Sequence, residues 1–134
     1  MDYPDFDYLS KLALKAGKII VECFGGYGAD WKEDQTPVTT ADISINTMVL
    51  ESISHDFPHI SIIAEEGSRK IENAEYSVLC DPLDGTFPFL WDMPIVSFCI
   101  AVVKNNIPLI GIIYDPFLHR MWYAFRGKGA FLNG

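Results

Sequence analysis

Residues 76–86 read Tyr76-Ser77-Val78-Leu79-Cys80-Asp81-Pro82-Leu83-Asp84-Gly85-Thr86. The first five are apolar apart from Ser77, the texture of a strand facing a core. Directly behind that run stand two carboxylates, a proline and a glycine. Pro82 restrains the backbone between Asp81 and Asp84, and Gly85 permits close backbone approach. Both carboxylates and the Leu83 carbonyl are therefore expected to face one point, as a hard cation such as Mg²⁺ requires of its oxygen ligands. If Gly85 and Thr86 open a short helix, its backbone N–H groups add an anion site beside the metal. Metal and anion together point to phosphate chemistry.

Working outward, the apolar run Ile60 to Ala64 ends in Glu65-Glu66-Gly67, so a second strand also terminates in carboxylates, and adjacent strand ends would unite the two clusters. Further runs at Ile95 to Val103, Ile107 to Tyr114 and Met121 to Phe125 predict more strands, with Asn105-Asn106 as an antiparallel hairpin turn because Asn tolerates positive φ. Ile95 to Val103 is apolar on both alternating faces, the pattern of a strand covered on both sides. Toward the N-terminus, Phe6, Leu9, Leu12, Ala13, Ala16, Ile20 and Phe24 recur at helical spacing between Asp5 and Gly25-Gly26. Residues 27–38 read as an exposed loop. Thr39 or Thr40 caps a second helix through Ile45, Met48, Val49, Ile53 and Phe57, halted by Pro58. Helices precede strands, which predicts an α+β fold: two helices packed on a mostly antiparallel sheet.

The 134 residues match the size of one domain. Ten Lys and Arg against eighteen Asp and Glu give a net charge of −8, which disfavours a nucleic-acid backbone or an anionic membrane as partner. No apolar stretch is long enough to span a bilayer, and the acidic start is unlike a signal peptide, so a soluble cytoplasmic protein is expected. Cys23, Cys80 and Cys99 lack zinc-site spacing and are predicted to be reduced core thiols. His55, His59 and His119 are isolated and assigned no chemistry.

Two alternatives to the metal reading fail on spacing. The haloacid-dehalogenase phosphatases place two Asp residues one position apart, before Gly-Thr, and use the first as a covalent nucleophile. Here the acids are three apart, which breaks the i, i+2 alternation of a strand, and Glu65-Glu66 has no role in that scheme. An EF-hand needs alternating oxygen ligands with Gly at the sixth place of its loop.

Lys32, Thr39-Thr40-Ala41-Asp42, Glu65-Glu66, Asp81 to Thr86 and the closing Gly127-Lys128-Gly129-Ala130-Phe131-Leu132-Asn133-Gly134, taken in this order, resemble the inositol monophosphatases. These are lithium-sensitive, Mg²⁺-dependent phosphatases with sugar-phosphate and nucleotide-phosphate relatives. The resemblance implies the layered inositol-monophosphatase and fructose-bisphosphatase sandwich, here its N-terminal half as a single domain over residues 1–134. It implies two or three Mg²⁺ ions, replaceable by Mn²⁺, on Glu65, Asp81, the Leu83 carbonyl and Asp84. Asp84, Gly85 and Thr86 would receive the phosphate, Thr86 would orient the attacking water, and Asp42 would relay its proton. Lys32 would lie in a mobile loop over the metals, and the assembly would be a homodimer.

Three departures stand out. Phe87 in place of Thr and Pro88 in place of Asn are the first two, while Phe89 matches the following aromatic. Third, the chain reaches only half of a typical member's length, without the later Trp-Asp motif whose Asp completes the metal set. The expected function is hydrolysis of a small phosphate monoester, inositol 1-phosphate first, with histidinol phosphate, a sugar phosphate or 3′-phosphoadenosine 5′-phosphate open. The contrasting expectation is a non-catalytic metal-binding or interaction domain. Either way, Ile95 to Val103 and Ile107 to Tyr114 should leave an apolar patch open.

Overall fold

A computed structural model describes residues 2–26, 30–33 and 37–134. Helix α1 spans Phe6–Cys23 and helix α2 Thr40–Asp56; two short strands between them, β1 (Asp30–Trp31) and β2 (Pro37–Val38), pair antiparallel. Then follow β3 (Ser61–Ala64), β4 (Tyr76–Asp84), α3 (Thr86–Leu90), β5 (Ser97–Lys104), β6 (Ile107–Asp115), β7 (Arg120–Phe125) and β8 (Gly129–Leu132). The last six strands form one sheet in sequence order, with only β3 and β4 parallel.

Local chemistry starts both long helices where the sequence places them. The Asp5 carboxylate accepts from the Tyr8 N–H at 2.9 Å. Thr39 and Asp42 form a reciprocal capping box at α2: Asp42 N–H donates to Thr39 Oγ1 at 3.2 Å, and Thr39 N–H donates to Asp42 Oδ2 at 2.8 Å. The predicted apolar positions of α1 and α2 then face the sheet, burying Leu9, Leu12, Ala13, Ala16, Ile20, Ile45, Val49 and Ile53 against Val78, Phe98, Ile100, Val102 and Ile112. Helix α1 lies over β5 and β6, and α2 over β4. Gly17 allows that approach, since a Cβ there would stand 2.4 Å from the Tyr114 ring.

The Asn105-Asn106 hairpin forms as predicted, both residues at positive φ. Other expectations need correction. The stretch 27–38 is not wholly loop, because β1 and β2 pair within it. Strand β4 continues through Asp84, with its register against β5 broken between Asp81 and Asp84. The carboxylates therefore lie within the irregular end of the strand and not behind it. Strand β5 begins at Ser97, and the preceding Ile95 is exposed. Only one face of the sheet is covered among the described residues, so β5 is not sandwiched. On the other face Ile63, Leu79, Ile113 and Trp122 remain exposed around an open depression of about 770 Å³. Cys80 is buried, but Cys23 and Cys99 are only half-buried; all three are free thiols. No described helix is long and apolar enough to cross a membrane.

Candidate functional site

The parallel pairing of β3 with β4 builds the site. Ala64 stands opposite Cys80, and the ladder runs on with Glu65 N–H donating to the Cys80 carbonyl at 3.3 Å. Two strands running the same way end at the same edge, so Glu65 and Asp81 emerge side by side. An antiparallel pair would have sent them to opposite ends. Asp81 in turn pairs with Cys99 on the neighbouring β5, and both line the uncovered side of the sheet.

The acidic group is crowded. Burial, then the Glu65 carboxyl, then the charge of Asp84 push the Asp81 carboxyl up to about 7. Asp81 Oδ1 is buried without a hydrogen-bond partner in the described structure. Asp84 lies at the exposed end of β4, and Leu83 beside it is 1% exposed. The donors are all oxygen, one is unsatisfied, and their mutual repulsion is what a divalent cation relieves; in these respects Glu65, Asp81, the Leu83 carbonyl and Asp84 fit Mg²⁺. Among the described residues, no three His, Cys, Asp or Glu side chains stand close enough together to hold a metal ion by themselves.

Beyond Asp84 the chain turns sharply. Gly85 adopts φ 101°, and a Cβ there would lie 2.7 Å from the Ile95 carbonyl oxygen, so the turn into α3 admits glycine only. Thr86 opens α3, which is five residues long; so short a helix has little dipole to offer an anion, less than its sequence suggests. Phe87-Pro88 leaves this helix intact, as proline in a first turn removes no intrahelical bond.

The Thr86 hydroxyl lies 3.4 Å from Asp42 Oδ1 and 3.3 Å from the Leu83 carbonyl oxygen, sharing one proton between two acceptors. Asp42 is fully buried, and burial raises its pKa against the lowering effect of the Thr39 hydrogen bonds. Lys32 Nζ stands 3.0 Å from Glu66 Oε1 and 3.7 Å from Glu65 Oε1, with the Glu66 side chain 5% exposed. The structure thus gathers Lys32, Asp42, Glu65, Asp81, Leu83, Asp84, Gly85 and Thr86 around one edge. Sequence reasoning assigned no separate part to Glu66 or Thr39. Thr39 was legible as a cap but not as Asp42's partner, a consequence of the capping box.

The histidines lie elsewhere. His55 Nδ1 is 2.7 Å from Asp56 Oδ1, and His59 Nε2 is 2.7 Å from the Asp2 carbonyl oxygen. Trp91 is 67% exposed, its ring tilted by 42° against that of Phe87.

The profile of the inositol monophosphatase family matches residues 4–134. The chain is 34% identical over 98% of its length to a histidinol-phosphatase of Chlorobaculum parvum, covering 51% of that protein. It is 35% identical over 92% of its length to a fructose-1,6-bisphosphatase/inositol-1-monophosphatase of Methanocaldococcus jannaschii, covering 50% of it. The IMPase of Thermotoga maritima superposes with a TM-score of 0.87 at 32% identity, over 96% of this chain and 50% of that one. The chain therefore spans about half the length of the relatives it matches. Shared sequence across nearly all of its residues, and a shared arrangement of helices and sheet, lead to one assignment: the chain belongs to the inositol monophosphatase family.

Proposed function

We propose that this chain carries the cation site of a Mg²⁺-dependent phosphatase acting on a small phosphate monoester. The observation that supports it most is the parallel register of β3 and β4, which sets Glu65 beside Asp81 and its unpartnered oxygen. In this reading Glu65, Asp81, the Leu83 carbonyl and Asp84 hold two or three Mg²⁺ ions, with Mn²⁺ able to replace them. Bound Mg²⁺ would supply charge neutralisation for the phosphate and a lowered pKa for the attacking water.

This chain's own residues do the rest. Thr86 Oγ1, already donating toward Asp42 Oδ1, accepts from the water and points its lone pair at phosphorus. As the water's proton passes to Thr86 Oγ1, Asp42, buried and hydrogen-bonded by Thr39, takes the Thr86 hydroxyl proton at Oδ1. Asp84, Gly85 and Thr86 border the phosphate. A chain of net charge −8 holds a phosphate dianion through its cations, not through five-residue α3.

Inositol 1-phosphate is the first substrate to test. Histidinol phosphate follows, because a histidinol-phosphatase is 34% identical; fructose 1,6-bisphosphate and 3′-phosphoadenosine 5′-phosphate complete the panel. A homodimer is the proposed assembly. Phosphate release from at least one of these is expected to require Mg²⁺ and to vanish on chelation, with no label left on Asp81 after quenching a reaction with labelled phosphate. Release unaffected by chelation, or a labelled Asp81, would contradict the proposal and restore the covalent aspartyl alternative.

A further inference from the structure

One turn beyond Asp42, α2 presents a second buried polar residue, Asn46, which is 3% exposed. Its Nδ2 donates to the Gly67 carbonyl at 3.1 Å. Its Oδ1 is buried and makes no hydrogen bond in the described structure. The amide's orientation follows from the Gly67 carbonyl, because turning the group over would set two acceptors against each other. An unused buried acceptor is costly, so only the bond to Gly67 offsets the presence of an amide here.

Gly67 closes the turn that carries Glu65 and Glu66. Within the turn, Gly67 N–H donates to the Ala64 carbonyl at 3.4 Å, while Ser68 Oγ accepts from Ala64 N–H at 3.0 Å and donates to its carbonyl at 3.2 Å. Those bonds shape the turn but leave its placement open. Placement comes from the Glu65 N–H bond to Cys80, the Lys32 contacts to Glu65 and Glu66, the Ile62–Arg69 backbone pair that follows the turn, and Asn46 on the helix side. Residues four apart on a helix share a face, about 6 Å apart. The same face of α2 therefore grips both acidic strand ends: Asp42 reaches Thr86 after β4, and Asn46 reaches Gly67 after β3.

We propose that Asn46 is a positioning residue of the cation site, holding the Glu65–Glu66 turn beside Asp81 through the Gly67 carbonyl. The inference rests on the cation reading of Glu65 given above. Partners of metal ligands typically shift metal affinity by ~10- to 100-fold when removed.

The test titrates Mn²⁺ alone into the chain by calorimetry and records thermal midpoints alongside. Asn46→Leu removes the donor and the unsatisfied acceptor together at the same heavy-atom count, and Asn46→Ser shortens the side chain beyond reach of Gly67. The expected result for both is Mn²⁺ affinity weakened about tenfold, with Asn46→Leu keeping the wild-type midpoint. Ile53→Val, farther along α2 and destabilising through packing alone, should keep wild-type affinity. Asn46 variants that bind Mn²⁺ as the wild type does, or an equal loss in Ile53→Val, would overturn the inference. A wild-type chain that takes up no Mn²⁺ would instead fail the cation reading itself, and the role of Asn46 with it.

Discussion

Asp42 is a fully buried carboxylate, held by Thr39 on one side and Thr86 on the other. Its burial was not legible in the segment Thr39-Thr40-Ala41-Asp42, where an Asp at the third helical position reads as a solvated partner of the helix dipole. Only the packing of α2 over β4 encloses it. Thr39→Ala removes the cap and one of Asp42's partners, and should cost about 1 kcal/mol, lowering the thermal midpoint by roughly 4 °C; an unchanged midpoint would deny the capping box any weight. A second residue-scale case lies at the opposite end of α2. The Tyr8 hydroxyl is 2.6 Å from Asp56 Oδ2, and this bond, followed by the one from His55, holds the Asp56 carboxyl below its usual range. A depressed acid of this kind adds stability above its ordinary pKa, and the gain is lost as pH falls through the folded value. Tyr8→Phe should therefore move the Asp56 carbon-13 titration upward and flatten the acid limb of the stability curve. A midpoint that stays put would contradict it.

Strand β4 shows how far element-level reading goes. Its apolar run, the carboxylates behind it and the partnership with β3 were all readable from composition and turn chemistry. The parallel sense of that partnership was not, because the segment 65–75 between the two strands contains no helical pattern to announce a crossover. The segment instead folds back along the outer edge of β3, where Ile62 and Arg69 exchange backbone hydrogen bonds at 2.7 and 2.8 Å. The two-residue strands β1 and β2 were likewise invisible, being too short for any periodicity, and β8 shows no alternation because all four of its residues are exposed. Gly85 is the position where an element boundary tolerates least. Gly85→Ala combines a left-handed φ with a 2.7 Å approach to the Ile95 carbonyl, and should destabilise by about 1–3 kcal/mol while displacing Thr86 from Asp42. Chemical denaturation with the same substitution would contradict this if the midpoint did not move.

At the scale of the whole molecule, the sheet is half-clothed. Two helices cover one face, and Ile63, Leu79, Ile113 and Trp122 line the other with apolar surface. The apolar run Ile95 to Val103, broken only by Ser97, announced a strand built for cover on both sides, and the described chain supplies one layer. An apolar face of this kind should bind a hydrophobic dye and promote self-association on sedimentation; a monodisperse monomer with no dye response would show that face to be less accessible than it stands. The acidic edge of the same sheet is the other whole-molecule feature, since burial, followed by the neighbouring Glu65 and Asp84 carboxylates, raises Asp81 to about 7 where a cation would lower it. Calorimetric titration of Mn²⁺ into the wild type and into Asp84→Asn tests this most directly. A saturable isotherm in the wild type, lost in Asp84→Asn with the fold retained, is the predicted result; identical isotherms in both would contradict the assignment of these strand ends as a cation site.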